Sequence, residues 1–373
     1  MNLYPPPLGG TVNLVTKRTR EKGISPTRIL GTKDISWKYY FAESVINRLV
    51  NYKAALSAGK ATVVVIGDSI TEGFWATNLY DGYPGLFRDL MQVKYGSLGE
   101  GYMNHNGRAD YGRFVYTGEW TPGDWTAETK EQMYLEVASA GATASVTTLP
   151  CTDITVIYDQ MEDAGSFTVA IDGVAYTTSG TGTTYLGKRY KVTGLTNSAH
   201  TVVVSAVGKF YFRGLIAEIT ANTGVAVHQV GHNGNYPGLI TDDAAADSYL
   251  RMLIDDFTPD LVVLAWGYNG GAISDANFKA DVQAFIDRAI GVGADVLLLS
   301  TDGNGRETQL HELLVANIAS QVGLMDMAKA LWNPNEVTYE FFSDGTPGSV
   351  GANAHPSDAG HARMAQAMFS LLG

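Results

Sequence analysis

The stretch Val63-Val64-Val65-Ile66-Gly67-Asp68-Ser69-Ile70-Thr71-Glu72-Gly73 decides how the chain is read. Four consecutive β-branched residues predict a fully buried strand, Gly-Asp-Ser predicts a tight turn, and the residues after it suit a helix. A serine held where a parallel sheet opens into a crevice is placed to act as a nucleophile. Alone the tripeptide is a weak signal, because a serine that merely caps a helix in a βα loop reads the same way.

Three later segments add weight. Gly231-His232-Asn233-Gly234 follows the apolar run Val225-Ala226-Val227, and Gly267-Tyr268-Asn269 follows Leu261-Val262-Val263-Leu264-Ala265-Trp266. His355-Pro356-Ser357-Asp358-Ala359-Gly360-His361 leads into a helix of apolar periodicity. With these four blocks the chain resembles the SGNH subgroup of the GDSL esterase and acylhydrolase family, which supplies Ser, Gly, Asn and His in that chain order. The resemblance implies a flavodoxin-like, doubly wound α/β fold. It also implies Ser69 as nucleophile, His355 as base, and an oxyanion hole of the Ser69 N–H, the Gly234 N–H and the Asn269 side-chain amide.

Those residue types suit acyl transfer. A serine hydroxyl needs a base within hydrogen-bond reach, and the oxyanion formed on attack needs preorganised donors. Glycine lets its backbone approach a ligand closely, and a neutral amide donates without titrating. Two departures from the family pattern stand out. Block five usually reads Asp-x-x-His-Pro, but Ala352 lies three residues before His355. The acid is therefore Asp344, separated from His355 by an insertion over Thr346 to Ala354, or Asp358 paired with His361, or no carboxylate at all. The Asp344 alignment is preferred, because Gly360-His361 matches the pair with which relatives open the last helix, leaving Asp358 as an early helix residue beside the dipole. Gly270 also stands where the family commonly has Asp.

Composition narrows the function classes. The 373 residues are 45% hydrophobic and 17% charged, enough for an α/β core and a further domain. A net charge of -12 argues against a nucleic-acid partner or an anionic membrane surface. No run of about twenty apolar residues predicts a membrane span. The start, Met1-Asn2-Leu3-Tyr4-Pro5-Pro6-Pro7, shows no signal-peptide pattern, so either the protein is not exported by that route or a signal was removed; localisation is left unknown, with extracellular, cell-surface and virion-associated sites all compatible. One cysteine, Cys151, forms no internal disulfide. His105, His200, His228 and His311 lack metal-ligand spacing, and His232, inside the second block, reads as a loop histidine bonded to backbone, with contact to substrate the alternative. No metal, dinucleotide or other cofactor is expected.

The organisation expected is an extended arm over 1–36, a hydrolase domain over 37–116 and 221–373, and an inserted all-β sandwich over 117–220. Helices are expected near 37–57 (with Tyr40, Val45, Leu49 and Ala54 on one face), 83–95, 242–256, 277–291, 308–320 and 358–371. Core strands are expected near 61–66, 261–266 and 295–300. The insert reads as β from runs such as Thr155-Val156-Ile157-Tyr158 and Phe167-Thr168-Val169-Ala170-Ile171. Some carbohydrate O-acetylesterases of the resembled family carry a carbohydrate-binding-like jelly roll at this place; the alternative is a purely structural insert that shields one side of the cleft. Trp75, Asn78, Tyr80, Tyr236, Tyr268 and Asn304 give the loops aromatic faces and amides that suit sugar, with Trp75, Tyr236 and Tyr268 the leading candidates. The expectation is removal of a small acyl group, acetyl above all, from a glycan. The alternatives are a carbohydrate-binding or assembly protein (cell surface or phage tail) with a vestigial site, an arylesterase or thioesterase, and an acetyltransferase. Oligomeric state is not read from the sequence.

Overall fold

The computed structural model describes residues 47–78, 81–104, 113–122, 134–221, 223–242, 245–266, 269, 273–301, 306–317, 320–327 and 355–373. All of them belong to the compact unit Trp37–Gly373. The arm expected over 1–36 and the start of the first helix lie outside the described residues, as do Tyr80, Tyr268, Gly270, Asn304, Asp344 and the insertion after it.

In chain order come α1 (Val50–Ser57), β1 (Lys60–Gly67), α2 (Ser69–Glu72), α3 (Tyr83–Tyr95) and β2 (Gly99–Asn104). Ten further strands follow: β3 (Val115–Thr117), β4 (Thr121–Pro122), β5 (Leu135–Val137), β6 (Thr143–Thr147), β7 (Asp153–Gln160), β8 (Ser166–Ile171), β9 (Val174–Ser179), β10 (Tyr185–Val192), β11 (Thr201–Ala206) and β12 (Phe210–Glu218). The chain then forms β13 (Gly224–Gly231), α4 (Gly238–Thr241), α5 (Ala246–Leu253), a 3-10 turn (Asp255–Phe257), β14 (Leu261–Ala265), α6 (Asp275–Gly291), β15 (Asp295–Ser300), α7 (Glu307–Ala316), β16 (Val322–Asp326) and α8 (Asp358–Leu372).

Five strands make a parallel sheet in the order β13-β1-β14-β15-β16. Ranked by chain position within that sheet the order is 2-1-3-4-5, a doubly wound arrangement. Parallel strands covered on both faces must be apolar on both, and β1 obeys. Val64 and Ile66 join Val262, Leu264, Val296 and Leu298 in a core with Phe278, Val282, Phe285 and Ile286 of α6. Val63 and Val65, which alternate to the other face, are as fully buried. Each such side chain contributes about 1.5–3 kcal/mol by leaving water. Helices α3 and α8 pack on each other, and α3 packs on β13. Among the described residues no helix is long and apolar enough to cross a membrane.

Between β1 and β13 the chain builds two antiparallel sheets. One runs β10-β7-β12-β5-β4 with β2 also on β12, and the other runs β3-β6-β11-β8-β9. Alternating side chains of both meet in one core: Val156, Tyr158, Phe210 and Phe212 from the first, Phe167, Val169, Val202 and Val204 from the second. β2, whose residues fall in the segment expected to belong to the α/β part, pairs antiparallel with β12 and also touches β13. Tyr102, Ile157, Leu186 and Ile216 enter the core of the parallel sheet. At this junction Arg213 Nε donates to Asp159 Oδ1 at 2.5 Å, and both side chains are buried. Burial opposes the charge on Arg213, but Asp159 outweighs it and holds the guanidinium above its usual range.

Several expectations need correcting. In α1 the buried residue is Tyr52, joined by Leu49 at the cap before it, whereas Ala54 is exposed. The helix expected over 242–256 is shorter, because α5 ends at Leu253 and a 3-10 turn follows. Helix α6 starts earlier than expected, at Asp275, because the Ser274 side chain caps it by accepting from the Asn277 N–H at 3.2 Å.

Candidate functional site

In the order 2-1-3-4-5 the neighbours β1 and β14 are the pair from which onward connections leave to opposite sides, so their C-terminal ends border a crevice. Ser69 opens α2 immediately beyond β1. Its turn is fixed from within and without. Asp68 is extended, and its Oδ1 accepts from the Ile70 N–H at 3.0 Å. The left-handed Gly73 closes the turn, with the Phe74 N–H donating to the Ser69 carbonyl at 2.9 Å. From β13, Gln229 Nε2 donates to the Thr71 and Glu72 carbonyls, both at 2.9 Å. The end of β13 approaches so closely that a Cβ on Gly231 would lie 2.2 Å from the Glu72 nitrogen. Below the turn, Thr71 Oγ1 and the Tyr83 hydroxyl share a 2.9 Å hydrogen bond, and burial pushes the Tyr83 phenol far above its ordinary value.

Ser69 Oγ lies 2.8 Å from His355 Nε2 in a buried contact spanning 286 residues of chain. With Nε2 accepting from the hydroxyl, the ring proton belongs on Nδ1, which is the tautomer a general base for serine requires. The Phe74 ring meets the imidazole edge-on at 5.0 Å between centroids. Beyond Pro356, Ser357 Oγ caps α8 by accepting from the Gly360 N–H at 3.3 Å.

The other candidate pair has different partners. Asp358 accepts from the Thr77 N–H at 2.7 Å and from Thr77 Oγ1 at 2.6 Å. His361 is completely buried; its Nδ1 accepts from the Tyr83 N–H at 3.2 Å, so Nε2 carries the proton and faces the Phe74 carbonyl at 3.4 Å. Burial lowers its pKa to about 4. His361 is therefore a neutral bridge between two backbone groups.

The second and third blocks converge on each other. Gly234 has φ +77, a left-handed geometry that glycine adopts without strain. The His232 N–H donates to the Gly67 carbonyl at 3.2 Å, and the Asn235 N–H closes the turn on the His232 carbonyl at 3.1 Å. Asn269 Nδ2 donates to the Asn235 carbonyl at 3.1 Å. One of its two amide hydrogens is thereby fixed, which orients the second. Neither the Ser69 nor the Gly234 N–H donates to another described backbone group. Sequence reasoning missed Asn235, and no signal marked it, because a carbonyl acts here whatever its side chain. His232 Nδ1 contacts the Asn233 carbonyl at 3.0 Å.

Of the aromatic candidates, Trp75 is half-buried with its ring 4.6 Å from Phe74, and it holds a left-handed backbone at φ +68. Tyr236 is half-buried in the Gly234 loop, its carbonyl accepting from the Leu239 N–H. Tyr268 lies outside the described residues. Among the described residues no group of three or more His, Cys, Asp or Glu side chains is placed to hold a metal ion.

No family model matches the chain, and no curated protein sequence matches it. Solved structures do. A peptidoglycan O-acetylesterase aligns at 15% identity over 88% of this chain and 95% of its own, with a TM-score of 0.59. A family two carbohydrate esterase from Clostridium thermocellum aligns at 15% identity over 69% of this chain and 96% of its own, TM-score 0.31. One from Cellvibrio japonicus aligns at 13% over 70% and 94%, TM-score 0.30. The first shares its fold with this chain; the other two superpose too loosely to carry an argument. The resemblance read from the four sequence blocks is thus borne out at the level of the fold.

Proposed function

We propose that the chain is a serine esterase that removes a small acyl group, acetyl first of all, from a polysaccharide or other glycan. The observation that carries this reading is the buried 2.8 Å contact between Ser69 Oγ and His355 Nε2 at the mouth of β1. The fold shared with a peptidoglycan O-acetylesterase supports the substrate class.

Ser69 Oγ attacks the ester carbonyl carbon while its proton passes to His355 Nε2. The oxyanion is held by the Ser69 and Gly234 N–H groups and the second hydrogen of Asn269 Nδ2. His355 then gives the proton to the sugar oxygen as the acyl–oxygen bond breaks. Water, deprotonated by the same imidazole, releases the acid and restores Ser69. Asp344 is the proposed partner of His355, a choice supported by the engagement of Asp358 with Thr77. We further propose an inserted β-sandwich over 117–220, carbohydrate-binding in character, between the two parts of a hydrolase domain; the common core of the two antiparallel sheets, to which β2 and the start of β3 add from before that span, supports this.

The test is hydrolysis of p-nitrophenyl acetate and of longer acyl esters, with acetate release from O-acetylated peptidoglycan and acetylated xylan, by the intact protein and by Ser69→Ala. Turnover that falls with acyl length, extends to one of the glycans and vanishes in the variant is the expected result. Glycan binding without turnover sinks the esterase in favour of a binding or assembly protein. Turnover confined to aryl esters or thioesters, or needing an added acceptor alcohol, replaces the glycan substrate with those chemistries.

A further inference from the structure

We propose that Trp75 selects the alcohol side of the ester by stacking on a pyranose ring, and that Asp358, through Thr77, is the positioning residue that holds it there. The inference rests on the esterase reading and deepens it.

Chemistry fixes the side. The imidazole that takes the serine proton must hand it to the leaving oxygen, so the sugar leaves on the His355 side of the reacting carbon while the carbonyl oxygen points to the oxyanion donors. Phe74 meets His355 edge-on at 5.0 Å, and Trp75 packs on Phe74 at 4.6 Å. Trp75 therefore stands one ring beyond the imidazole and is only half-buried, and the proposal assigns its open face to the leaving-group side. An indole offers a flat apolar face to the C–H face of a sugar while its N–H remains free to reach a hydroxyl.

The backbone shows that Trp75 is held there against its own preference. Its φ of +68 is one that L side chains rarely adopt, and such geometry persists only where surrounding contacts over-determine it. Those contacts are present on both sides. Upstream, Phe74 N–H is bound to the Ser69 carbonyl, and Ala76 N–H reaches over Trp75 to the Gly73 carbonyl at 3.0 Å. Downstream, both Asp358 oxygens accept from Thr77, in bonds strengthened by the carboxylate charge. His361 faces the Phe74 carbonyl from the same helix. The segment that carries His355 thus also grips the loop that carries Trp75, which ties the base and the sugar platform to one stretch of chain.

The experiment compares two acetate esters that share an acyl group and differ in alcohol, methyl 6-O-acetyl-β-glucopyranoside and ethyl acetate. Trp75→Ala should lower kcat/KM for the pyranoside about tenfold more than for ethyl acetate, chiefly through KM. Asp358→Asn should shift the same ratio in the same direction, with the pH profile of kcat on ethyl acetate unmoved. Thr77→Val, which deletes one of the two bonds and keeps the shape, serves as the milder variant should Asp358→Asn fold poorly. Equal losses on both esters, or an unmoved ratio, would overturn the proposal. A displaced pH profile in Asp358→Asn would make that residue part of the acid–base machinery instead. Binding of the pyranoside to Ser69→Ala, with and without Trp75→Ala, separates the two readings: weaker binding in the double variant supports the platform even if the intact protein hydrolyses neither ester, and equal binding removes it even if the protein is an esterase.

Discussion

At the N-terminal end of the parallel sheet Asp260 accepts from the Thr62 N–H and Asp295 from the Tyr52 N–H, both at 2.8 Å, whereas at the C-terminal end Ser69 and His355 face each other beside a crevice. The first arrangement ties the start of β14 to β1 and the start of β15 to the first turn of α1; the second sets a hydroxyl against an imidazole at the open end of the sheet. What differs is the supply of backbone donors. At the entry end of the sheet the unmatched N–H groups of Thr62 and of the first turn of α1 must be satisfied, and carboxylates do that at the cost of their own solvation. Where strands end, tight turns such as Asp68 to Gly73 satisfy themselves, and side chains are released for chemistry.

Replacing residues at each end breaks or sharpens this contrast. The largest effect is expected from His355→Ala, a loss of turnover of about four orders of magnitude or more with little change in thermal midpoint. His361→Ala, six residues along, should do the reverse: turnover within about tenfold, and stability lower by about 2–4 kcal/mol from the lost packing and the two backbone contacts. Urea melts and kinetics on both proteins read this out, and exchanged phenotypes would promote Asp358 with His361 as the catalytic pair. Asn269→Ala comes next, with kcat lower by about two to three orders of magnitude if its second amide hydrogen holds the oxyanion, and KM little changed.

The smallest effect belongs to the opposite end and is read in stability. Burial raises the Asp295 carboxyl to about 6, helped by the charge of Asp260. A carboxyl raised in the folded state favours folding while protonated, so its contribution declines as pH rises from about 4 to about 6. Buried His361, lowered to about 4, and His228, lowered to about 3, act with the opposite sign, since stability falls as pH drops below about 6.5 and protonation favours the unfolded chain. Across pH 4 to 6 the carboxyl therefore offsets the histidines. Asp295→Asn should make stability climb more steeply with pH over that window, by up to about 2 kcal/mol between its ends, without altering kcat. An unchanged slope would mean that Asp295 is not the group that titrates there.

Much of the frame was legible because β1, β14 and β15 are so apolar that only a doubly covered sheet accommodates them, and because Gly-Asp-Ser ends its strand abruptly. Other elements carried no such mark. β2, Gly99-Glu100-Gly101-Tyr102-Met103-Asn104, contains two glycines and an acid; it is a strand because β12 supplies a partner, which is a tertiary cause. β16, Val322-Gly323-Leu324-Met325-Asp326, is too short to show a period and is made by pairing with β15. Within the site, Ser69, Gly234 and Asn269 were visible as residue types in motifs. The Asn235 carbonyl that orients Asn269 and the Thr77 that occupies Asp358 were not, because hydrogen bonds across tens or hundreds of residues leave no local pattern.

The separation of 286 positions between Ser69 and His355 also bears on when the site comes into being. Closing so long a stretch of chain is entropically costly and is repaid only after the intervening strands have paired. Ser69 precedes His355 in synthesis by the antiparallel sheets and the rest of the parallel sheet, and His355 comes just ahead of α8. On the proposed function, recovery of activity after dilution from denaturant should therefore trail the return of sheet structure.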